Sequence, residues 1–386
     1  MKTKRNNKQD KGLFWAIVVL TIVGFIMVTS AHAKVWVEHG PNTFLFEMAK
    51  IAVFTLTGFV VMTVIRRRFD IDKVMKYLPK ITLVIVLMMF ATLLFADEKG
   101  AKAWIRIPGL MTIQPVEFLK IVMILFLADH FGRHYGTDVK PMAVLRAPIL
   151  FVGGAFIFVT VLQNDLGSAL TLLIIALCVF LAVPEKKYTQ AKIIILVIMG
   201  VTILLFYVLG PILSEWVYSL PNDFPKKSQL LRLAVLFDPL HDTYGSGYQV
   251  TNALASLSNS GLFGHGLGNS ETKMLLPEVY NDAIIAVIAE ETGLVGIFFV
   301  FGLYFYIINR LLSFALFKGV AIKDKLVLIG IASFFMAQFF VNIGGMAGVI
   351  PMTGVTLLFI SSGGSSILTA FMTIGIAQGV IKRYIK

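Results

Sequence analysis

Four carboxylates, Glu278, Asp282, Glu290 and Glu291, fall within fourteen residues of one another. They stand where a polar, glycine-dotted interval, Gly245 to Gly296, runs into a strongly apolar stretch. A charge carried into a bilayer costs roughly 2.5–3.5 kcal/mol on insertion scales, so acids in such a place line a polar cavity and mark a functional site. Glu278 and Asp282 are four apart, which puts them on one face of a helix beginning near Pro277. Acids set against a helix dipole account for that pair alone; with Glu290 and Glu291 two to three turns deeper, four are too many for capping. A carboxylate held there can act as a general base on a hydroxyl within about 3 Å. Two further groups carry polar chemistry. PVEFLK places Glu117 and Lys120 three apart, just after Pro115 at a helix start, as a neutralised pair that orders a span or faces a cavity. QNDLGS sets Gln163, Asn164 and Asp165 at a helix junction, where a turn and an N-cap are the plain reading.

These groups must be positioned by membrane helices. With 57% hydrophobic and 15% charged residues over 386 positions and a mean hydropathy of +0.83, no soluble globule could cover its surface. The chain reads as an all-α integral membrane protein, one polytopic domain over residues 1–386. Apolar runs at 13–29, 46–65, 81–95, 117–131, 147–162, 168–183, 192–213, 283–309, 327–343 and 366–381 predict ten transmembrane helices. The net charge of +12 then reports topology and not nucleic acid. With the N-terminus inside, 24 of the 34 Lys and Arg fall on cytoplasmic segments and 8 on outer ones. Both termini are therefore cytoplasmic, and the large loop between spans 7 and 8, residues 214–280, is extracellular. The first apolar run, followed by Ala31-His32-Ala33, imitates a signal peptide but is longer than the usual signal core, and a retained span is expected. Cys178 is single and lies in an apolar run, so no intramolecular disulfide exists and it reads as a small core hydrophobe.

The 214–280 loop is too long for a connector, and short helices are expected near Ser228 to Phe237 and Tyr248 to Leu257. Gly344 to Ser366 forms a second unusual outer segment, apolar yet studded with Gly, Pro, Ser and Thr. Such backbone survives at membrane depth only when buried in protein or lining a cavity.

GAKAWIRIPG with IQPVEFLK, then QNDLGSA, then LPEVYND with AEETG, and finally NIGGMAGVIPMTGVTLLFISSGGSS resemble, in order, the signatures of the SEDS family (shape, elongation, division and sporulation). The resemblance covers nearly the whole chain. It departs from the family pattern at Val116, Asn164, Asn281, Ala283 and Ser362, where Ser, Pro, Thr, Phe and Tyr are usual; GLGNS and VNIGG lean toward the division branch. The family implies a peptidoglycan glycosyltransferase that polymerises lipid II at the outer face of the bacterial cytoplasmic membrane, in cell division or cell-wall elongation. Its essential aspartate falls on Asp282, the expected general base. The other matching motif residues expected at the substrate cavity are Glu278, Lys102, Trp104, Arg106, Glu117, Lys120, Gln163, Asp165, Gln249, Glu290, Ser365 and Ser366.

Such chemistry removes a proton from an acceptor 4-hydroxyl as it attacks the donor's anomeric carbon, while the diphosphate-lipid departs. Lys102, Arg106 and Lys120 are the cations expected to offset the diphosphate, with a divalent ion (Mg or Mn) as helper and no other cofactor. The resemblance implies a class B penicillin-binding protein as partner, packing on late spans such as 327–343 and on the long loop, together with other division or elongation proteins of the membrane. Two rival classes share the composition: a lipid II flippase and a non-catalytic scaffold. Transport predicts a pathway open in turn to both faces, whereas the acids here gather toward one.

Overall fold

The computed structural model describes residues 9–95, 101–107, 111–221, 223–224, 227–245, 247–276 and 279–385. The chain is helical almost throughout. It opens with α1 (Lys11–Ala31), α2 (Ala33–Arg68) and α3 (Ile71–Thr92). A small antiparallel ribbon, β1 (Ile105–Ile107) with β2 (Met111–Ile113), follows in the register Ile105 to Ile113. Then come α4 (Pro115–Arg133), α5 (Pro141–Ile157) continued by a π turn at Phe158–Leu162, α6 (Leu166–Leu181) and α7 (Thr189–Ser219). The long loop between α7 and α11 carries α8 (Lys227–Ala234), α9 (Tyr248–Asn259) and α10 (Thr272–Leu275), and the chain closes with α11 (Ile284–Ala315), α12 (Ile322–Met346) and α13 (Gly364–Ile381).

A helix occupies each of the ten segments expected to span. Eight helices among the described residues are long and apolar enough to cross a membrane. The other two are the ones that hold the polar groups. α4 carries Glu117, Lys120 and Asp129, and α6, with 16 residues, is about 24 Å long, short of the hydrocarbon thickness. Boundaries differ where a polar end is amphipathic. α3 starts at Ile71 and not near 81, because Ile71, Met75 and Leu78 bury one stripe while Lys73, Lys76 and Lys80 stay exposed. The two short loop helices fall at α8 and α9, close to their expected places. The β1–β2 ribbon was not expected.

The core is formed by α4, α6, α11, α12 and α13. Small residues bring helices together: a Cβ on Gly375 would lie 2.9 Å from the Met62 carbonyl of α2, and one on Gly330 would lie 2.5 Å from Ile124 of α4. The central window of α12 is 72% buried, that of α7 only 6%. Most of the 327–343 stretch is buried in the core, with Gly330 packed on Ile124 of α4 and Val179 of α6. Exposed apolar surface lies instead along α7 and on α11 at Phe298, Phe299 and Phe305.

The segment from Ala347 to Gly363 has no regular structure, yet Leu357, Leu358, Phe359 and Ile360 are buried. It runs through protein, as irregular backbone at this depth must. α11 is likewise interrupted, at Gly293 (φ 66°). Loop residues repair the break: His265 N and Gly266 N donate to the carbonyls of Glu290 and Glu291 (2.8 and 3.0 Å), while Leu294 N and Val295 N donate to Gly261 and Leu262 (both 3.1 Å). Gly264 (φ 69°) faces Gly293 so closely that a Cβ on either would come within 2.6 Å of the other's backbone. Only glycine fits both positions.

Candidate active site

A cavity of about 1510 Å³ opens among the ribbon, the starts of α4, α6 and α13, the α1–α2 corner, the outer loop and the 348–356 segment. It is large enough for saccharide units. Asp282 lines it. The helix expected from Pro277 is corrected here, because α11 begins only at Ile284 with Ala283 as its N-cap. Asp282 therefore sits in a turn at the positive end of α11; Glu278 lies outside the described residues.

The turn is tied down residue by residue. Tyr280 O accepts from Ser362 N (3.0 Å), and Asn281 Oδ1 accepts from Ser362 Oγ (2.6 Å). Two positions that depart from the family pattern thus pair with each other. Asp282 O accepts from Asn342 Nδ2 (2.8 Å). The Tyr280 ring stacks on His32, centroids 4.0 Å apart; burial holds that imidazole below its ordinary pKa, so it is neutral at neutral pH. Gly354 (φ 70°) passes directly against the carboxylate, since an added Cβ would lie 3.5 Å from Asp282 Oδ2.

Trp104, Arg106, Glu117, Asp165, Gln249, Ser365 and Ser366 also line the cavity. Glu117 is buried and saturated: Lys120 Nζ donates to Oε1 (2.7 Å) and Gln338 Nε2 to Oε2 (3.2 Å). Asp165 caps α6 by accepting from Ser168 N (3.0 Å) and takes a second bond from Gln114 Nε2 (2.8 Å), so the plain N-cap reading and the cavity reading both hold for it. Ser365 Oγ accepts from Gln114 N (3.4 Å), joining α13 to the start of α4.

Four residues expected at the cavity stand behind its wall instead. Lys120 is fully buried, held by Glu117 with its ammonium 5.8 Å over the Phe334 ring. Gln163 is fully buried, donating from Nε2 to Thr92 Oγ1 (2.9 Å), and its carbonyl accepts from Lys102 N (2.8 Å). Lys102 therefore enters through its backbone, and of the three cations expected to meet a diphosphate Arg106 is the one on the cavity. Glu290 is buried, accepting from Ser270 Oγ (2.6 Å), Thr272 N (3.1 Å) and Glu271 N (3.2 Å). Its neighbour Glu291 accepts from Ser30 Oγ (2.5 Å) and Lys273 Nζ (3.1 Å). Both acids bind the outer loop to the membrane helices.

Sequence reasoning missed His32, Glu47, Lys50, Gln114 and Arg232, all on the cavity. One signal was available: Glu47 and Lys50 repeat the three-residue spacing of Glu117 and Lys120, and they form the same ion pair at 2.7 Å. Among the described residues no three His, Cys, Asp or Glu side chains gather closely enough to hold a metal ion.

The family model described as Cell cycle protein, covering FtsW, RodA and SpoVE, matches residues 11–384. The chain is 33% identical to the Probable peptidoglycan glycosyltransferase FtsW of Bacillus subtilis (strain 168), over 98% of this chain and 92% of that one. It is also 33% identical to the protein of the same name from Enterococcus hirae, over 99% and 94%. Its fold is similar to a chain in the solved structure of a peptidoglycan synthase complex that coordinates polymerization and crosslinking (TM-score 0.73, 23% identity, 97% of this chain and 98% of that one). It is similar also to the rod shape determining protein RodA of Thermus thermophilus (TM-score 0.64, 22% identity, 97% of each). With a match from one end of the described chain to the other, this protein belongs to the FtsW/RodA/SpoVE family of membrane proteins.

Proposed function

We propose that this protein is a peptidoglycan glycosyltransferase that polymerises lipid II at the outer face of the cytoplasmic membrane, with Asp282 as general base. The observation that carries the reading is a carboxylate held in a tied turn on a large cavity that Arg106 and Trp104 also line. In the step, Asp282 takes the proton of an acceptor 4-hydroxyl; the oxygen bonds to the donor's anomeric carbon; the bond to diphosphate breaks and the lipid diphosphate leaves. Arg106 is the motif cation on the lining that offsets the departing charge, and a divalent ion, when bound with the substrate, would supply further positive charge to the leaving diphosphate. Relatives at about one-third identity carry the name FtsW, which favours the division role, with a class B penicillin-binding protein as partner. A carrier is less well supported: α4 beyond Glu117 is packed in the core, with Leu119, Lys120, Met123 and Ile124 all buried.

The test is incubation of the purified protein, with and without its class B partner, with labelled lipid II. Glycan strands should form faster with the partner, and Asp282→Asn should lower the rate about 10²–10⁴-fold with membrane insertion intact. Strands made by the variant at the normal rate would overturn the assignment.

A further inference from the structure

We propose that Asn342 is a positioning residue for this reaction, fixing the direction of the Asp282 carboxylate by holding the backbone on both sides of it. The inference rests on the reading of Asp282 as the base. Asn342 lies on α12 and is 4% exposed. Its two amide hydrogens go to Asp282 O (2.8 Å) and to Val355 O (2.7 Å). Two carbonyl oxygens face the amide, so only the donor end can point at them. Oδ1, on the other side, is buried and accepts no hydrogen bond among the described residues. Burial of an unused acceptor is unfavourable, so what the residue contributes is the pair of donors.

Those donors join two peptides that flank one carboxylate. Asp282 belongs to the first, and Gly354, whose backbone lies against Oδ2, adjoins the second. A carboxylate in a turn has no helical repeat to set its direction, and the other ties of this turn, Ser362 to Tyr280 and Asn281, act on the preceding two residues from the side of α13. Asn342 ties Asp282 itself to α12. A displacement of about 1 Å from attack geometry costs on the order of a hundredfold in rate, so a distant amide that sets this position governs turnover without touching substrate.

The experiment compares wild type, Asn342→Ala, Asn342→Ser and Asp282→Asn, each purified with the class B partner and assayed on lipid II. Asn342→Ala should lower kcat roughly ten- to hundredfold while KM for lipid II stays close to wild type; the thermal midpoint falls somewhat, because two buried carbonyls lose their donors. Asn342→Ser keeps one donor and should recover part of the rate; it also carries the test if the alanine variant does not accumulate. Wild-type kcat in Asn342→Ala, or in Asn342→Ser where the alanine variant does not accumulate, with Asp282→Asn inactive, overturns the positioning role and leaves the base assignment standing. A fall in kcat accompanied by a raised KM assigns Asn342 to general packing and overturns it too. An active Asp282→Asn overturns the underlying reading instead.

Discussion

Asp282 and the pair Glu290–Glu291 are eight to nine residues apart, and their fates are opposite. Asp282 lies in a turn on the cavity wall, tied by its backbone carbonyl and flanked by glycine. Glu290 and Glu291 lie two turns along α11, buried, their carboxylates occupied by Ser270, Thr272, Lys273 and Ser30. A carboxylate needs donors wherever it is buried, and at Glu290 and Glu291 those donors come from the 270–273 segment and from α1, so each acid tethers one part of the chain to another. At Asp282 the backbone carbonyl carries a tie to α12, and the residue lines the cavity.

The comparison is broken most sharply by exchanging readouts. Asp282→Asn should abolish turnover and leave the thermal midpoint nearly unchanged, whereas Glu291→Gln or Lys273→Met should destabilise the fold by about 3–5 kcal/mol, because each strands its buried partner. Both are measured on one preparation by lipid II polymerisation and thermal unfolding. A Glu291→Gln protein with wild-type stability and no activity would place Glu291 in the chemistry and end the distinction. The double change Lys273→Met with Glu291→Leu should be milder than the worse single, since it removes both charges together.

A smaller effect tests the backbone side of the anchor. Gly264→Ala and Gly293→Ala each force a Cβ into facing backbone and a left-handed φ, a loss of about 1–3 kcal/mol. Hydrogen exchange of residues 261–266 should rise in both, with the cavity wall around Asp165 unaffected. The smallest effect is on His32. Its folded pKa is depressed by burial, so the unfolded chain takes up a proton first, and stability falls as pH drops below about 6.5. His32→Gln should remove that part of the acid-side decline in the thermal midpoint, and an unchanged pH profile would show that the Tyr280 stack tolerates the charged ring.

How far the sequence revealed all this depended on the distance between partners. Glu117 and Lys120 were readable as a pair because both lie on one helix, three residues apart. Glu290 and Glu291 read as cavity acids because their partners are remote in sequence, Ser270 to Thr272 some twenty residues away for Glu290 and Ser30 261 residues away for Glu291, and no local pattern announces them. Helical periodicity gave α8 and α9, but it misplaced the start of α11: apolar residues around Val279 and Tyr280 continue the pattern, while the bonds to Ser362 and Asn342 hold 280–282 out of the helix. Asp282 as a base came from the family motif, since the physical reading alone singles out Glu278 and Asp282 together and does not choose between them. The ribbon had its own signal, two short runs rich in Ile around Pro108-Gly109, overshadowed by the surrounding hydrophobicity.

The break in α11 also bears on how the protein is made. Val295 and Leu294 would carry bare amides into hydrocarbon about 15 Å along the helix from its start, an expensive condition for a nascent segment leaving the insertion machinery. Their partners, Gly261 and Leu262, lie some thirty residues earlier in the chain and so leave the ribosome first. Insertion of α11 is thereby tied to the docking of the 261–266 loop beside it, since only there are those amides satisfied.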